Sequence, residues 1–286
     1  MYHIIFNPTA GKKTAQENLA IVEKVLRERG LSFEIHKTRA VRDAAEIARR
    51  LTLAGEVDII VMGGDGTLHE TLNGIADFAN VRLGLVPSGT GNDFAGRVGI
   101  PMDVEKAMSL IIDGEAKATD YLEFGGVRCM NVGGMGIDVD VLERCHKGKL
   151  KGKLKYYKCL LQSLLTFKGV PVLVESEGVE RKHNALIAAA CNGSQLGGGM
   201  CICPTASVED GLIDVVIVDC IGKMKLIGAL IQLMKGKILE YPLTTHFLCE
   251  RVRVTTEKPC SVQLDGEIYK DLEFDVKVGK GLRFYR

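Results

Sequence analysis

The sequence predicts a two-part chain: an α/β domain with a parallel sheet, then a domain of antiparallel β-strands. Three observations predict it. Over the first hundred residues short apolar runs alternate with longer amphipathic segments. Beyond about residue 117 short β-rich runs take over. Three of the early apolar runs also open into glycine-rich turns.

The early strands are expected at 2–6, 32–37, 57–62 and 82–86, with helices at 15–29, 41–54 and 67–79. Strands alternating with helices of this length imply βαβ units and hence a parallel sheet. A further helix at 104–112 ends at Asp113-Gly114, a plausible stop. The second part holds strand-like runs at 120–124, 127–132, 170–175, 185–191, 212–218, 251–255, 261–264 and 272–278, interrupted by helices at 154–167 and 223–237. Glycine turns between short strands suit an antiparallel sandwich. The boundary is placed near residue 118, giving domains 1–118 and 119–286, with the last strand free to pack back on the first domain.

Composition narrows the function. Hydrophobic residues make up 46% of 286, enough to bury a substantial core, and 37 Lys+Arg balance 36 Asp+Glu for a net charge of +1. That balance argues against a general nucleic-acid binder. Nine cysteines, at 129, 145, 159, 191, 201, 203, 220, 249 and 260, include no CxxC pair. Neither a disulfide framework nor a tetrahedral zinc site, which needs closer paired ligands, is expected, and reduced thiols suit the cytoplasm. The six histidines form no HxxE or HxxxH pattern. The N-terminal stretch shows no signal peptide, and no run of about 18 apolar residues occurs, so any membrane contact is expected to be peripheral.

The strongest local signal is 57–70, where Val-Asp-Ile-Ile-Val-Met runs into Gly63-Gly64-Asp65-Gly66-Thr67-Leu68-His69-Glu70. Glycines let backbone N–H groups approach a phosphate, and the N-terminus of the following helix favours an anion. Thr67 and Glu70 have capping-box spacing, which would start the helix there. This is neither a P-loop nor a GxGxxG fingerprint. Asp65 would repel a bare phosphate but suits one bridged by magnesium; the plainer reading is a tight turn with Asp65 as a cap. A second strand end gives Pro87-Ser88-Gly89-Thr90-Gly91-Asn92-Asp93-Phe94, and the first gives Asn7-Pro8-Thr9-Ala10-Gly11. Three such turns at the carboxyl ends of parallel strands converge where open α/β sheets bind ligands.

Together with Asp265-Gly266-Glu267 near the end, this ordered set resembles the catalytic domain of diacylglycerol kinases and their bacterial soluble lipid-kinase relatives, a superfamily that includes sphingosine and ceramide kinases. The likeness covers nearly the whole chain. GGDGT alone is shared with NAD kinases and phosphofructokinases. The resemblance implies a Rossmann-like N-terminal nucleotide-binding domain of the phosphofructokinase/NAD kinase type, a C-terminal lipid-binding β-sandwich, and ATP in the cleft between. By resemblance, Asn7, Pro8, Thr9, Ala10, Gly11, Thr38, Gly64, Asp65, Gly66, Thr67, Leu68, His69, Glu70, Thr90, Asn92 and Asp93 serve ATP. Glu267, with Asp265 beside it, supplies the proton acceptor; which of the two takes the proton stays open. Asp210, with main-chain oxygens of Ser207 and Leu212, would hold a structural Mg²⁺, although Asp210-Gly211 reads equally as a turn. Relatives often carry alanine where this chain has Gly91, and no cysteine-rich lipid-sensing module is expected.

The expected reaction is ATP-dependent, Mg²⁺-requiring phosphorylation of a hydroxyl on diacylglycerol or a related lipid. A basic stretch at 144–158 carries seven Lys/Arg and no acid. Through Lys149, Lys151, Lys153 and Lys155 it would dock a cytoplasmic enzyme peripherally on the anionic inner membrane face; the plainer reading is a solvated loop. Rival readings are an NAD kinase and a non-catalytic nucleotide-binding regulator of the same fold. The particular lipid and the oligomeric state, a homodimer included, stay open.

Overall fold

A computed structural model describes residues 1–11, 14–147, 153–220 and 222–286. The chain forms two compact units, Met1–Tyr121 with Gly279–Arg286, and Leu122–Val278.

In the first unit β1 (Tyr2–Phe6), α1 (Thr14–Glu28), β2 (Phe33–Lys37), α2 (Asp43–Leu53), β3 (Val57–Gly63), α3 (Asp65–Gly74), β4 (Val81–Pro87), α4 (Asp93–Val98) and α5 (Val104–Asp113) follow one another. The sheet order is β4-β3-β1-β2, all parallel. The chain leaves β1 for β2 on one side, while β3 and β4 lie on the other. The switch point therefore falls between the carboxyl ends of β1 and β3, where such sheets bind ligands. Ile4, Phe6, Ile60, Met62 and Val86 are buried on one sheet face against Leu19, Val22 and Leu26 of α1 and Met108 and Ile111 of α5. Helix α3 is capped three residues earlier than the Thr67–Glu70 spacing predicts. Its N-cap is Gly64, with no side-chain cap, and Thr67 lies inside the first turn. It also ends at Gly74, short of the expected 79, before a 3₁₀ turn at Phe78–Asn80.

The chain passes to the second unit along β5 (Ala116–Phe124). There follow β6 (Val127–Cys129), β7 (Val132–Gly136), α6 (Ile137–Lys147), α7 (Lys153–Thr166), β8 (Val170–Ser176), β9 (Val179–Cys191), β10 (Gln195–Leu196), β11 (Met200–Cys201), β12 (Ile213–Asp219), α8 (Lys223–Met234), β13 (Thr244–Cys249), β14 (Arg251–Thr256), β15 (Val262–Leu264), β16 (Glu267–Tyr269) and β17 (Phe274–Tyr285). Pairing among them is antiparallel, as in a β-sandwich.

The long strand β9 organises this unit. Its first half pairs β8, and its second half pairs both β7 and β12. Burial follows suit: 179–184 hold the exposed and half-exposed residues, whereas 185–191 are buried on both faces. Ala188 and Ala190 enter one core cluster with Leu122, Val215 and Val252. Ile187, Ala189 and Cys191 enter another, with Leu160 and Leu164 of α7 and Leu226 and Ala229 of α8.

Strand β17 runs well past the expected 278. Gly279 and Gly281 read as a strand end, but a Cβ on Gly279 would fall 2.2 Å from the Tyr121 ring, so the glycine marks a close approach inside a continuous strand. Arg283 and Phe284 of this strand pair in parallel with Arg82 and Leu83 of β4. Helix α6 and strand β13 have no counterpart among the sequence-based expectations. Lys149 and Lys151 of the basic stretch lie outside the described residues; Lys153 and Lys155 fall within α7.

Candidate active site

At the switch point of the first unit three turns meet. Asn7, just beyond β1, reaches across to α3: its Nδ2 donates to Thr67 Oγ1 at 2.9 Å, while its Oδ1 accepts from the Thr9 amide and hydroxyl at 3.0 and 2.8 Å. The Asn7 amide itself donates to the Met62 carbonyl on β3. The two turns are thus one hydrogen-bonded structure. Thr38 closes the far side, its amide donating to the Phe6 carbonyl at 2.9 Å.

The second and third turns touch through glycine. A Cβ on Gly64 would lie 2.9 Å from Gly89 Cα, and one on Gly89 would lie 2.5 Å from Gly64 Cα. Only glycine at both positions permits this backbone contact. Asn92, in the left-handed region at φ 53°, fixes Gly89 from the other side. Its Oδ1 accepts from the Gly89 amide at 2.9 Å and its Nδ2 donates to the Gly89 carbonyl at 3.1 Å.

Two carboxylates sit at this junction. Asp65, in the first turn of α3, accepts from the Phe94 amide at 3.3 Å, and Asp93 opens α4 and is largely buried. The position a Gly91 Cβ would take is 3.0 Å from Asp65 Oδ2 and 3.7 Å from Asp93 Oδ2, so both acids face one small space beside a backbone. Two hard oxygen donors beside a helix N-terminus fit a magnesium-bound phosphate.

Other residues assigned to ATP fall differently. Gly66 lies in the first turn of α3, with Glu70 one turn on and half-buried, and Thr90 is exposed at the tip of its turn. Pro8 and Ala10 are half-buried, and Gly11 packs under the Ser88 carbonyl. Leu68 and His69 are buried, at 1% and 2% exposure, with His69 beside Asn73 within α3. His69 is therefore closed off from solvent on α3.

In the second unit Asp265 and Gly266, at φ 52° and 91°, form the two-residue turn between β15 and β16. Positive φ at both positions is the type I′ geometry that Asp-Gly favours. Asp265 is fully engaged: Oδ2 accepts from the Met130 amide and Oδ1 from the Asn131 amide, both at 2.8 Å, with the Cys129 thiol donating at 3.1 Å. Glu267, two residues on, is exposed. Asp210 caps its own turn, accepting from the Leu212 amide at 3.0 Å, and Ser207 Oγ accepts from the Glu209 amide at 3.3 Å.

Sequence reasoning missed Asp138. It opens α6, buried to 7% exposure, and borders a narrow cavity walled by Val141, Leu160, Leu186, Val218, Leu226 and Leu233. Desolvation by burial pushes its carboxyl up to about 6. The signal lay in the alternation 137–141, Ile-Asp-Val-Asp-Val, at the end of a glycine-rich strand.

Residues 1–124 match the diacylglycerol kinase catalytic domain, and residues 131–281 match the YegS C-terminal NAD kinase beta sandwich-like domain. The chain is 30% identical over 273 residues to a protein of Bacillus subtilis (strain 168) named diacylglycerol kinase, covering 92% of this chain and 88% of that one. It is 31% identical over 280 residues to a Xanthomonas campestris pv. campestris (strain 8004) protein named probable lipid kinase YegS-like, covering 93% and 90%. A crystal structure of a diacylglycerol kinase from Bacillus anthracis str. Sterne matches with TM-score 0.80 at 25% identity, over 99% of this chain and 96% of that one. The chain belongs to the diacylglycerol kinase catalytic-domain family of lipid kinases.

Proposed function

We propose that this kinase transfers the γ-phosphoryl group of ATP to a hydroxyl of diacylglycerol or a closely related lipid, with Mg²⁺. The observation that carries the reading is the junction of the three turns, where Asp65 and Asp93 face one space beside Gly91. Phosphoryl transfer asks the protein for positioning and charge neutralisation more than for covalent chemistry. The α3 N-terminus and the Gly64 and Gly89 backbones would hold the phosphate oxygens, and Asn7 and Asn92 keep those backbones in place. Asp65 and Asp93 would hold magnesium, which when bound neutralises charge on the β- and γ-phosphates.

Glu267 is the proposed proton acceptor. As the lipid hydroxyl oxygen bonds to the γ-phosphorus, its proton passes to the Glu267 carboxylate, and the bond to the β–γ bridging oxygen breaks to release ADP. Asp265 has both oxygens committed to main-chain amides, which suits it to hold the turn rather than take a proton. The cavity beside Asp138 has the apolar lining an acyl chain needs. Asp210, with Ser207 and Leu212, is proposed to hold a structural magnesium.

The lysine-rich stretch is proposed to bring the enzyme to an anionic membrane from the cytoplasm. Exposed Leu161 and Leu165 of α7 support an interfacial position for this region. Calorimetry of ATP binding with and without Mg²⁺ tests the site. Replacing Asp65 and Asp93 together by asparagine should remove the Mg²⁺-dependent part of the affinity; a variant that still responds to Mg²⁺ like the native protein would refute the assignment.

A further inference from the structure

The second unit contains a cluster that the kinase reading does not use. Cys203 lies just after β11, Asp214 on β12 and His246 on β13. In the β12–β13 ladder Val216 stands opposite His246 and Asp214 opposite Leu248, so Asp214 and His246 are diagonal neighbours on one face of the sheet. Ile202 and Cys203 pack over that face with Val216 and Val218.

Three donors converge on a single oxygen. His246 Nε2 lies 2.7 Å from Asp214 Oδ1, Thr205 Oγ1 donates to that oxygen at 3.0 Å, and Cys203 Sγ donates to it at 3.3 Å. The ligand atoms of Cys203, Asp214 and His246 all lie within 4.8 Å of one another. A tetrahedral zinc ion, with bonds of roughly 2.0–2.3 Å, holds its ligand atoms roughly 3.3–3.6 Å apart. Small side-chain rotations would open the cluster to that size. Asp214 and Cys203 are buried, at 2% and 0% exposure, while His246 is partly exposed and offers a route from solvent. A buried carboxylate needs a counter-charge, and the ion-pair partner of Asp214 is His246, which is cationic only when protonated.

We infer that Cys203, Asp214 and His246 form a binding site for a divalent cation of zinc-like softness, with a fourth position open to water. A thiolate, an imidazole and a carboxylate together select zinc over magnesium, which prefers oxygen ligands alone. Binding replaces the Cys203 S–H bond by a metal–sulfur bond and releases that proton to solvent, while the Nε2 proton that His246 donates to Asp214 leaves as the imidazole takes its neutral Nδ1–H tautomer and binds through Nε2. The other compact group of this kind among the described residues, His3, Glu34 and His36, is less suited. There Arg50 Nη2 stands 3.4 Å from His36 Nδ1 and would repel a cation.

Cobalt(II) is the probe, because its thiolate complexes absorb visibly and in the near ultraviolet. Adding Co²⁺ to chelator-treated full-length protein should give a thiolate-to-cobalt band that saturates at one equivalent. One equivalent of Zn²⁺ should bleach it, and excess Mg²⁺ should not. Cys203→Ser should abolish the band, whereas Cys201→Ser, two residues away at the end of β11, should retain it. His246→Gln, at the exposed edge where folding is least at risk, should weaken Zn²⁺ binding about 100-fold, the upper range for loss of even an outer partner. Absence of a cobalt–thiolate band in the native protein, or a band unchanged in Cys203→Ser, would overturn the proposal. Because none of these readouts is phosphoryl transfer, the result stands apart from the lipid-kinase assignment.

Discussion

Glu267 and Asp265 sit two residues apart on one hairpin, yet their surroundings give them different work. Exposed Glu267 can meet a substrate; Asp265 is tied to residues 130 and 131, more than 130 positions away in sequence. Only the folded chain distinguishes them, which is why the motif left both as proton acceptors. Glu267→Gln keeps the shape and removes the charge, so steady-state assays should show kcat lowered about 10²–10⁴-fold with ATP affinity little changed. Asp265→Ala should instead lower the melting temperature, since two main-chain amides lose their acceptor. Asp138 gives a pH test. Its folded-state carboxyl titrates at about 6, above the ordinary value of 3.8. Between those values the folded protein binds the extra proton, so this group's contribution makes stability fall as pH rises from about 4 to 6, by at most about 1.4 kcal/mol per unit, and then level off. Asp138→Asn should flatten that slope in thermal melts across the same range and raise stability at pH 7.

At the scale of elements, the strand-turn-helix rhythm of the first unit was legible because apolar period and glycine punctuation agree there. The start of α3 was not. Thr67 looks like a cap, but it is the partner of Asn7, a contact between turns 60 residues apart. Strand β13 escaped notice because Thr244, Thr245 and His246 carry little apolar alternation, and β17 was ended early, at 278, because Gly279, which packs against the Tyr121 ring, reads as a break. The motif glycines likewise do more than admit a phosphate. Gly64→Ala presses a methyl on the Gly89 backbone, so it should weaken ATP binding in calorimetry and also cost about 1–3 kcal/mol of stability. The 207–212 turn offers a clean metal test. Asparagine at 210 retains the Oδ1 acceptor for the Leu212 amide while losing the charge. Mg²⁺ should therefore raise the melting temperature of the native protein more than that of Asp210→Asn; equal responses would place the ion elsewhere.

For the whole molecule, both fold classes were readable from the change in rhythm near residue 117, whereas the apolar cavity and the Cys203–Asp214–His246 cluster were not, because each is assembled from strands and helices distant in sequence. Among the described residues no helix is long and apolar enough to cross a membrane. Electrostatic docking is screened over about 8 Å at physiological salt. Sedimentation with phosphatidylglycerol vesicles should weaken as salt rises. Replacing Lys149, Lys151, Lys153 and Lys155 by glutamine should reduce it further while sparing activity in detergent micelles; equal sedimentation at low salt would leave these lysines as a solvated loop. The central claim is that a lipid hydroxyl receives the γ-phosphate. Its most direct measurement is incubation of the purified protein with γ-labelled ATP, Mg²⁺ and, separately, diacylglycerol, phosphatidylglycerol, a sphingoid base and NAD. The account predicts label in an organic-extractable phosphomonoester of a glycerolipid, lost in Glu267→Gln. Label in NADP, or none transferred to any lipid, would contradict it.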